Sequence, residues 1–195
     1  MKESPLLMTP ENGQKSHDGR KTHTRRLNGL DEINASPSDW AVLCHSTDDQ
    51  IWRFAHKHKT VSNGGGIRSI KCPYGVAGDR LWLREAFSET REGPYIYKGW
   101  GMFDNGGDDW KWTPAIHMPR VACRTVVEIT ELRVERVKEI TQDDCIAEGC
   151  GSHHTTPREE FKKLWESING KASWEANPWV WVIGFKKVED AAPHA

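Results

Sequence analysis

The chain has 195 residues, with 27 lysines and arginines against 28 aspartates and glutamates, and a formal net charge of −1. This length suits one domain with a buried core. The balanced charge argues against a polycation that coats nucleic acid without specificity. Ten tryptophans and a hydrophobic content of 36% argue against global disorder.

Targeting and redox signals favour an intracellular protein. No apolar run approaches the ~20 residues that a membrane helix needs, and the first residues lack the apolar stretch of a signal peptide. Five cysteines at irregular spacing match neither a disulfide framework nor a metal-ligand pattern. We therefore expect a soluble cytoplasmic protein with reduced thiols and no membrane partner.

The first half of the chain combines turn signals with one alternating segment. Thr9, Pro10 and the acid that follows them predict the start of a short helix, which Gly19 ends. Residues 27–49 are rich in Asn, Asp, Ser and Pro and are predicted to form a loop. Residues 50–58 alternate in polarity, which predicts a strand.

The second half predicts more strands than helices. Residues 80–87 and 121–137 have strand composition, because β-branched and aromatic residues alternate with charged ones. Between them, residues 88–119 form a long insertion rich in Trp and Gly, which is typical of a lid or binding loop. Two short helices and a final buried strand follow at 141–148, 157–170 and 179–185.

These elements predict the α+β class, as a small β-barrel-like domain with short peripheral helices. We expect a single domain over residues 1–188 that includes the insertion at 88–119. Residues 189–195 are predicted to form a disordered tail.

A short cationic segment carries most of the potential chemistry. The hydroxyl of Thr24 becomes a nucleophile only when a base takes its proton, and Lys21 can act as that base only if its pKa is lowered. Repulsion from Arg20, Arg25 and Arg26 would lower it. The Lys–Thr spacing alone is common, and the cluster equally fits a solvated face or a contact with an anion or nucleic acid.

The segment Gly19-Arg20-Lys21-Thr22-His23-Thr24-Arg25-Arg26 resembles the Gly-Arg-Lys-Thr-x-Thr-x-Arg signature of ASCH domains. These domains are PUA-like β-barrels linked to RNA binding and metabolism. Four further blocks resemble the family in the same order, one of them a block found in larger, phage-type members. They lie at residues 78–85, 116–120, 141–148 and 179–185.

The resemblance implies a reaction and a set of catalytic residues. Small bacterial members of the family are amidohydrolases that remove the acetyl group from N(4)-acetylcytidine. By this resemblance, Lys21 activates Thr24, whose oxygen attacks the amide carbonyl, and Glu148 handles protons on the leaving amine and on water. Arg26 matches the signature arginine and would stabilise the oxyanion or hold a substrate phosphate. The scheme needs no cofactor and no metal.

The sequence also departs from the family pattern. The small amidohydrolases are much shorter and have no counterpart of residues 88–119. Gly184 stands where the closing strand of the family often carries an acid. Because the fold alone does not determine the reaction, two alternatives stay open: a non-catalytic module that binds RNA or a modified base, and a metal-independent ribonuclease. The phage-type block suggests a bacterial or phage-infected host cell.

Several residues outside the signature are candidate substrate contacts. Trp110 and Trp112 lie in the polar insertion, and we expect at least one to stack on a base. His117 beside the insertion is a substrate contact or a structural histidine. Glu85 is a second candidate acid, and Arg20 is a candidate contact from the cationic segment.

Other notable side chains have simpler interpretations. Cys145 and Cys150 lie near His153 and His154, but the spacing is not that of a structural zinc site, so we expect no metal. Four tryptophans on predicted strand or helix faces are expected to pack in the core. They are Trp82, Trp165, Trp179 and Trp181.

Overall fold

The computed structural model has an α+β fold with three sheets and few helices. No described helix is long and apolar enough to span a bilayer. The described strands lie in separate sheets that do not close into a barrel. The residues that the structure describes are 1–46, 50–59, 66–90, 95–99, 110–151 and 155–188.

The central sheet has five strands in the order β1-β6-β9-β10-β2. β1 runs parallel to β6, and the other neighbours are antiparallel. β9 and β10 form the longest pairing, with a register shift between Gly184 and Phe185. The strands are β1 (Glu3–Leu7), β2 (His23–Arg26), β6 (Arg80–Arg84), β9 (Val126–Arg136) and β10 (Trp179–Lys187).

A three-stranded antiparallel sheet covers one face of the central sheet. Its strands are β3 (Trp40–Ser46), β4 (Ile51–His56) and β5 (Ile67–Lys71), in that order. Trp52 and Trp181 meet edge to face with ring centroids 6.0 Å apart, so the two sheets share the main core. β7 (Phe87–Ser88) and β8 (Ile96–Tyr97) form a separate two-stranded sheet.

Side-chain caps determine where the longer helices begin. Thr9 accepts from the amide of Asn12, and Thr156 forms a capping box with Glu159. Gly170, at a φ of 93°, ends the longest helix, which buries Phe161 and Trp165 in a second apolar core. The helices are α1 (Pro10–His17), α2 (Asp31–Asn34), α3 (Gln142–Ala147), α4 (Pro157–Asn169) and α5 (Ser173–Ala176).

The structure confirms the α+β class, the helices begun by Thr9 and Pro157 and the final strand. The prediction of a loop over 27–49 was wrong, because α2 and β3 lie there. The predicted strand over 121–137 starts only at Val126, after a 3₁₀ turn at Arg120–Ala122.

Two further expectations need correction. Trp82 is only half-buried, because it lies on the opposite face of β6 from the buried Leu81 and Leu83. The guanidinium groups of Arg84 and Arg120 lie over its ring. The described parts of the 88–119 insertion include β8 and a 3₁₀ turn at Ala115–His117, so they have structure of their own. The remaining parts of the insertion, and the predicted tail at 189–195, lie outside the described residues.

Helix α1 approaches the central sheet closely at Gly13. A Cβ atom at this position would lie 2.3 Å from Oε1 of Glu85, far inside contact distance. Glu85 cannot easily move, because it is fully buried and accepts from Nε and Nη2 of Arg124 at 3.0 and 2.8 Å. Because glycine has no side chain, α1 can lie this close to the end of β6 at Gly13.

We expect the substitution Gly13→Ala to lower the free energy of unfolding by about 2 kcal/mol. Alanine improves helix propensity by up to ~1 kcal/mol, but overpacking against the Glu85–Arg124 pair costs about 1–3 kcal/mol and disturbs a buried charge. Urea unfolding measures the change, with the exposed Glu11→Ala on the same helix as the control, which should lose less than about 1 kcal/mol. A Gly13→Ala variant as stable as the parent would contradict this account of the contact.

Candidate active site

A cavity of about 390 Å³ lies between α1, β2 and α4. This volume falls in the range of small-molecule sites, about 300–1,000 Å³. One side is polar, and the side formed by α4 is apolar. The lining residues are Leu7, Met8, Thr9, Asn12, Lys21, Thr24, Arg25, Arg26, Leu27, Asn28, Tyr74, Glu148, Phe161, Leu164, Trp165, Ile168 and Asn169.

The polar side centres on a direct contact between Lys21 and Glu148, which are 127 positions apart in the chain. The Lys21 ammonium donates to both the carbonyl oxygen of Glu148, at 3.0 Å, and its carboxylate oxygen Oε2. The two side chains are 1% and 3% exposed. The two groups thus form a buried ion pair that faces the cavity.

The backbone brings these two residues together. Lys21 lies two residues before β2, and Glu148 is the C-cap of α3. The amide of Thr22 donates to the carbonyl of Ala147 at 2.8 Å, which ties the two segments together. The capping box of Thr141 and Asp144 fixes where α3 begins, and Gly149, at a φ of 84°, follows Glu148 where the helix ends.

Burial changes the acid–base properties of Lys21. Loss of hydration lowers the pKa of its ammonium below the ordinary 10.5, and the positive charge of Arg26 lowers it further. The Glu148 carboxylate opposes this shift through its charge and its hydrogen bond. A lysine with a lowered pKa beside a carboxylate gives up its proton more readily than an exposed lysine does.

The sequence interpretation missed the role of Arg25. This buried arginine donates from Nη1 to Oε1 of Glu148 at 3.2 Å, and its Nη2 lies 2.5 Å from Glu135 and 3.1 Å from Asp144. Glu148 is therefore held by two cations, Lys21 on one carboxylate oxygen and Arg25 on the other. The sequence gives one signal of this role: residues 128–148 contain more acids than bases, so a cation from elsewhere in the chain is needed to compensate them.

Thr24 lines the same cavity from the middle of β2. It is 4% exposed and pairs in register with Ile183 of the neighbouring strand β10. Its hydroxyl forms no hydrogen bond with any residue in the described ranges. The group is therefore available to a molecule in the cavity.

Two of the expected substrate contacts lie away from this cavity. Arg20 is exposed, pairs with Asp18 at 2.8 Å, and lines a second cavity of about 660 Å³ that also includes Lys15. Glu85 is buried and paired with Arg124, so it does not contribute to the cavity wall.

The aromatic residues of the insertion are also separate from the cavity. Trp110 and Trp112 are half-buried, His117 is exposed in its 3₁₀ turn, and none of the three lines the cavity. Of the insertion predicted as a lid or binding loop, the described residues 88–90, 95–99 and 110–119 do not line the cavity. Residues 91–94 and 100–109 lie outside the described ranges.

The sequence predicts no zinc site at the two cysteines and two histidines near residue 150. Cys145 and Cys150 pack in the second apolar core as free thiols, where burial raises the pKa of Cys150 to about 12. Within the described ranges, no group of three or more His, Cys, Asp and Glu side chains could hold a metal ion. His153 and His154 lie outside those ranges.

Contacts with the neighbouring strands explain why position 184 is a glycine. A Cβ atom there would lie 3.1 Å from both Nε2 of His23 and Cβ of Glu131. The histidine ring thus fills the space that a larger residue on β10 would need. Burial lowers the pKa of His23, and the nearby Glu131 carboxylate opposes that shift. A carboxylate is therefore present beside this position, supplied by β9 rather than by β10.

Comparisons with known proteins provide no family assignment. No protein-family model matches the chain, and no curated protein matches it. A crystal structure of a protein from Enterococcus faecalis, described under the family model DUF984, is similar with a TM-score of 0.44 and 11% identity. That match covers 100% of this chain and 84% of the other. At this level of similarity, no residue role is transferred between the two proteins.

We expect Arg25→Met to destabilise the protein by about 3–5 kcal/mol, because it leaves buried carboxylates without their cation. The control is Arg120→Met, which removes an ion pair to Glu3 whose side chains are 39% and 37% exposed. This control should lose less than about 1 kcal/mol. Chemical unfolding of both variants tests the contrast, and equal losses would show that the Arg25 cluster contributes no more than a surface pair.

Proposed function

We propose that the protein is an amidohydrolase that removes an acyl group from the exocyclic amine of a modified pyrimidine nucleoside such as N(4)-acetylcytidine. One observation carries the proposal: Lys21, Thr24 and Glu148 line one cavity, and Lys21 contacts Glu148 across 127 positions of sequence. The roles of these residues follow from the resemblance to ASCH domains. We also propose, on the same resemblance, that the α+β fold is a PUA-like variant.

The reaction begins with attack by the Thr24 oxygen on the amide carbonyl. The hydroxyl proton passes to the neutral amine of Lys21, and a bond forms between the Thr24 oxygen and the acyl carbon. The carbon–nitrogen bond then breaks, and the leaving amine takes up a proton delivered through the Lys21–Glu148 contact. The products of this step are the free nucleoside and an acyl ester on Thr24.

Water completes the cycle. Glu148 accepts a proton from the water molecule as the water oxygen attacks the ester carbon. The ester bond breaks, the carboxylic acid leaves, and the proton returns to the Thr24 oxygen. Arg25 supports this step, because its hydrogen bond to the second carboxylate oxygen keeps Glu148 oriented towards Lys21.

The first test is incubation of the purified protein with N(4)-acetylcytidine and chromatographic detection of cytidine. We expect Thr24→Val, which keeps the side-chain shape but removes the hydroxyl, to lose about 10²–10⁴-fold in kcat, and Thr24→Ser to retain part of the activity. Lys21→Met should lose a similar factor. Lys163→Met is the matched control, since Lys163 is exposed on α4 outside the cavity lining.

Each other result has a distinct meaning. Equal cytidine release by the parent and by Lys21→Met would contradict the role of Lys21. If the parent releases no cytidine from either N(4)-acetylcytidine or its 5′-phosphate, the hydrolase proposal fails. Oligonucleotide binding with steep salt dependence would then favour the binding module, and shortened RNA would favour the ribonuclease.

The pH dependence of kcat/KM provides an independent test of Lys21. The unprotonated amine is the active base, so activity should rise with pH as Lys21 loses its proton. Because burial lowers the pKa of Lys21, this rise should have its midpoint below 10.5. In Lys21→Met, any residual activity should lack that rise, and an unchanged profile would assign the titration to another group.

A further inference from the structure

Arg26 differs from the other cations in the interior. Lys21 pairs with Glu148, Arg25 pairs with Glu148 and two further carboxylates, and Arg124 pairs with Glu85. Arg26 lines the cavity but forms no ion pair with any residue in the described ranges. A charge removed from water without a counterion is costly. We therefore expect an anion from outside the described residues to bind beside Arg26.

The hydrogen bonds of Arg26 are also incomplete. Its Nη2 donates to the carbonyl oxygen of Leu7 at 2.7 Å and contacts Sδ of Met8 at 3.3 Å. Its Nε is buried and has no hydrogen-bond partner among the described residues, and its Nη1 donates to none of them. Loss of hydration lowers the pKa of the guanidinium, and the negative charge of Glu148 opposes the shift. An arginine nevertheless stays charged at neutral pH.

Tyr74 supplies a second donor at this end of the cavity. Burial raises the pKa of its phenol, so the hydroxyl is neutral at physiological pH and can donate a proton to an acceptor. The hydroxyl forms no hydrogen bond within the described part of the chain. Tyr74 and Arg26 line the same cavity.

Strand β2 sets the distance between Arg26 and Thr24, the proposed nucleophile. Thr24 and Arg26 are two positions apart on β2, so their side chains leave the same face of the strand about 7 Å apart. A nucleotide carries its exocyclic amine and its phosphate at opposite ends. Such a molecule can therefore present its amide to Thr24 while its phosphate lies beside Arg26.

We propose that Arg26 and Tyr74 form an anion subsite that binds a phosphate ester on the sugar of the substrate. This inference depends on the proposed function, since it specifies the substrate as an acylated pyrimidine nucleotide rather than a neutral nucleoside. The shared chemistry is a phosphate near the sugar, which a free nucleotide carries as a monoester and a nucleic acid carries as a diester.

Calorimetric binding of reaction products tests the subsite without requiring turnover. The probes are cytidine and 5′-CMP, with the parent protein, Arg26→Gln, and Arg68→Gln as the control. Arg68 pairs with Glu32 and does not line the cavity. We expect 5′-CMP to bind at least about 10-fold more tightly than cytidine, because charge-assisted hydrogen bonds are stronger than neutral ones. This preference should fall below about 3-fold in Arg26→Gln and persist in Arg68→Gln.

Further probes distinguish the source of the phosphate. A preference for 5′-CMP or 3′-CMP over a short oligocytidylate assigns the subsite to a monoester, and the reverse order assigns it to a strand of nucleic acid. The proposal is overturned if cytidine and 5′-CMP bind the parent equally, if Arg26→Gln retains the preference, or if neither compound binds at millimolar concentration.

Thermal unfolding separates a ligand-binding role from a structural one. Arg26→Gln removes a half-buried charge that has no ion-pair partner among the described residues, so its melting temperature without ligand should equal or exceed that of the parent. The stabilisation of the parent by 5′-CMP should be lost in the variant. A lower melting temperature combined with unchanged binding of 5′-CMP would show that Arg26 is structural.

The outcomes for the subsite and for the hydrolase are distinguishable. Binding of 5′-CMP through Arg26, without hydrolysis of N(4)-acetylcytidine or its 5′-phosphate, would keep the subsite and remove the hydrolase. Hydrolysis of both substrates with equal kcat/KM, unchanged in Arg26→Gln, would keep the hydrolase and remove the subsite.

Discussion

The buried charge cluster around Glu148 is the interaction on which the cavity depends. Three cations (Lys21, Arg25 and Arg133) face three carboxylates, and the innermost members are almost inaccessible to water. Such a cluster is stable only when every charge has a partner, because a single unpaired member costs several kcal/mol. This requirement holds the C-terminus of α3 against the start of β2, and both segments against β9.

The cluster also explains how ordinary side chains can acquire chemistry here. The proton affinity of Lys21 reflects lost hydration on one side and the Glu148 carboxylate on the other. Thr24 stands beside this pair with an uncommitted hydroxyl. Arg26, in contrast, has no carboxylate partner in the described chain. The cavity wall thus combines a lysine and a glutamate that pair with each other and an arginine that has no ion-pair partner among the described residues.

The extent to which the sequence predicts this molecule depends on the range of the interactions involved. The start of α4 was predictable, because its capping box is a local signal. Strand β3 was not, since turn-forming residues flank its short apolar segment on both sides, and its pairing with β4 is not visible in the local sequence. At the site, Lys21 and Thr24 are close in sequence, whereas the place of Glu148 followed only from the family resemblance. The partners of Arg25 and Glu85 lie too far along the chain for any periodicity to reveal them.

The charged and the apolar halves of the cavity wall come from different elements of the fold. The charged half belongs to β2 and the end of α3, while much of the apolar half belongs to α4. Phe161 and Trp165 of this helix are part of the second core, whereas Ile168 lines the cavity and is 52% exposed. Substitutions at Ile168 and Asn169 can therefore change the size and shape of the cavity while the charged groups of β2 and α3 stay as they are. One scaffold of this kind can give a series of related proteins whose cavities accept different molecules.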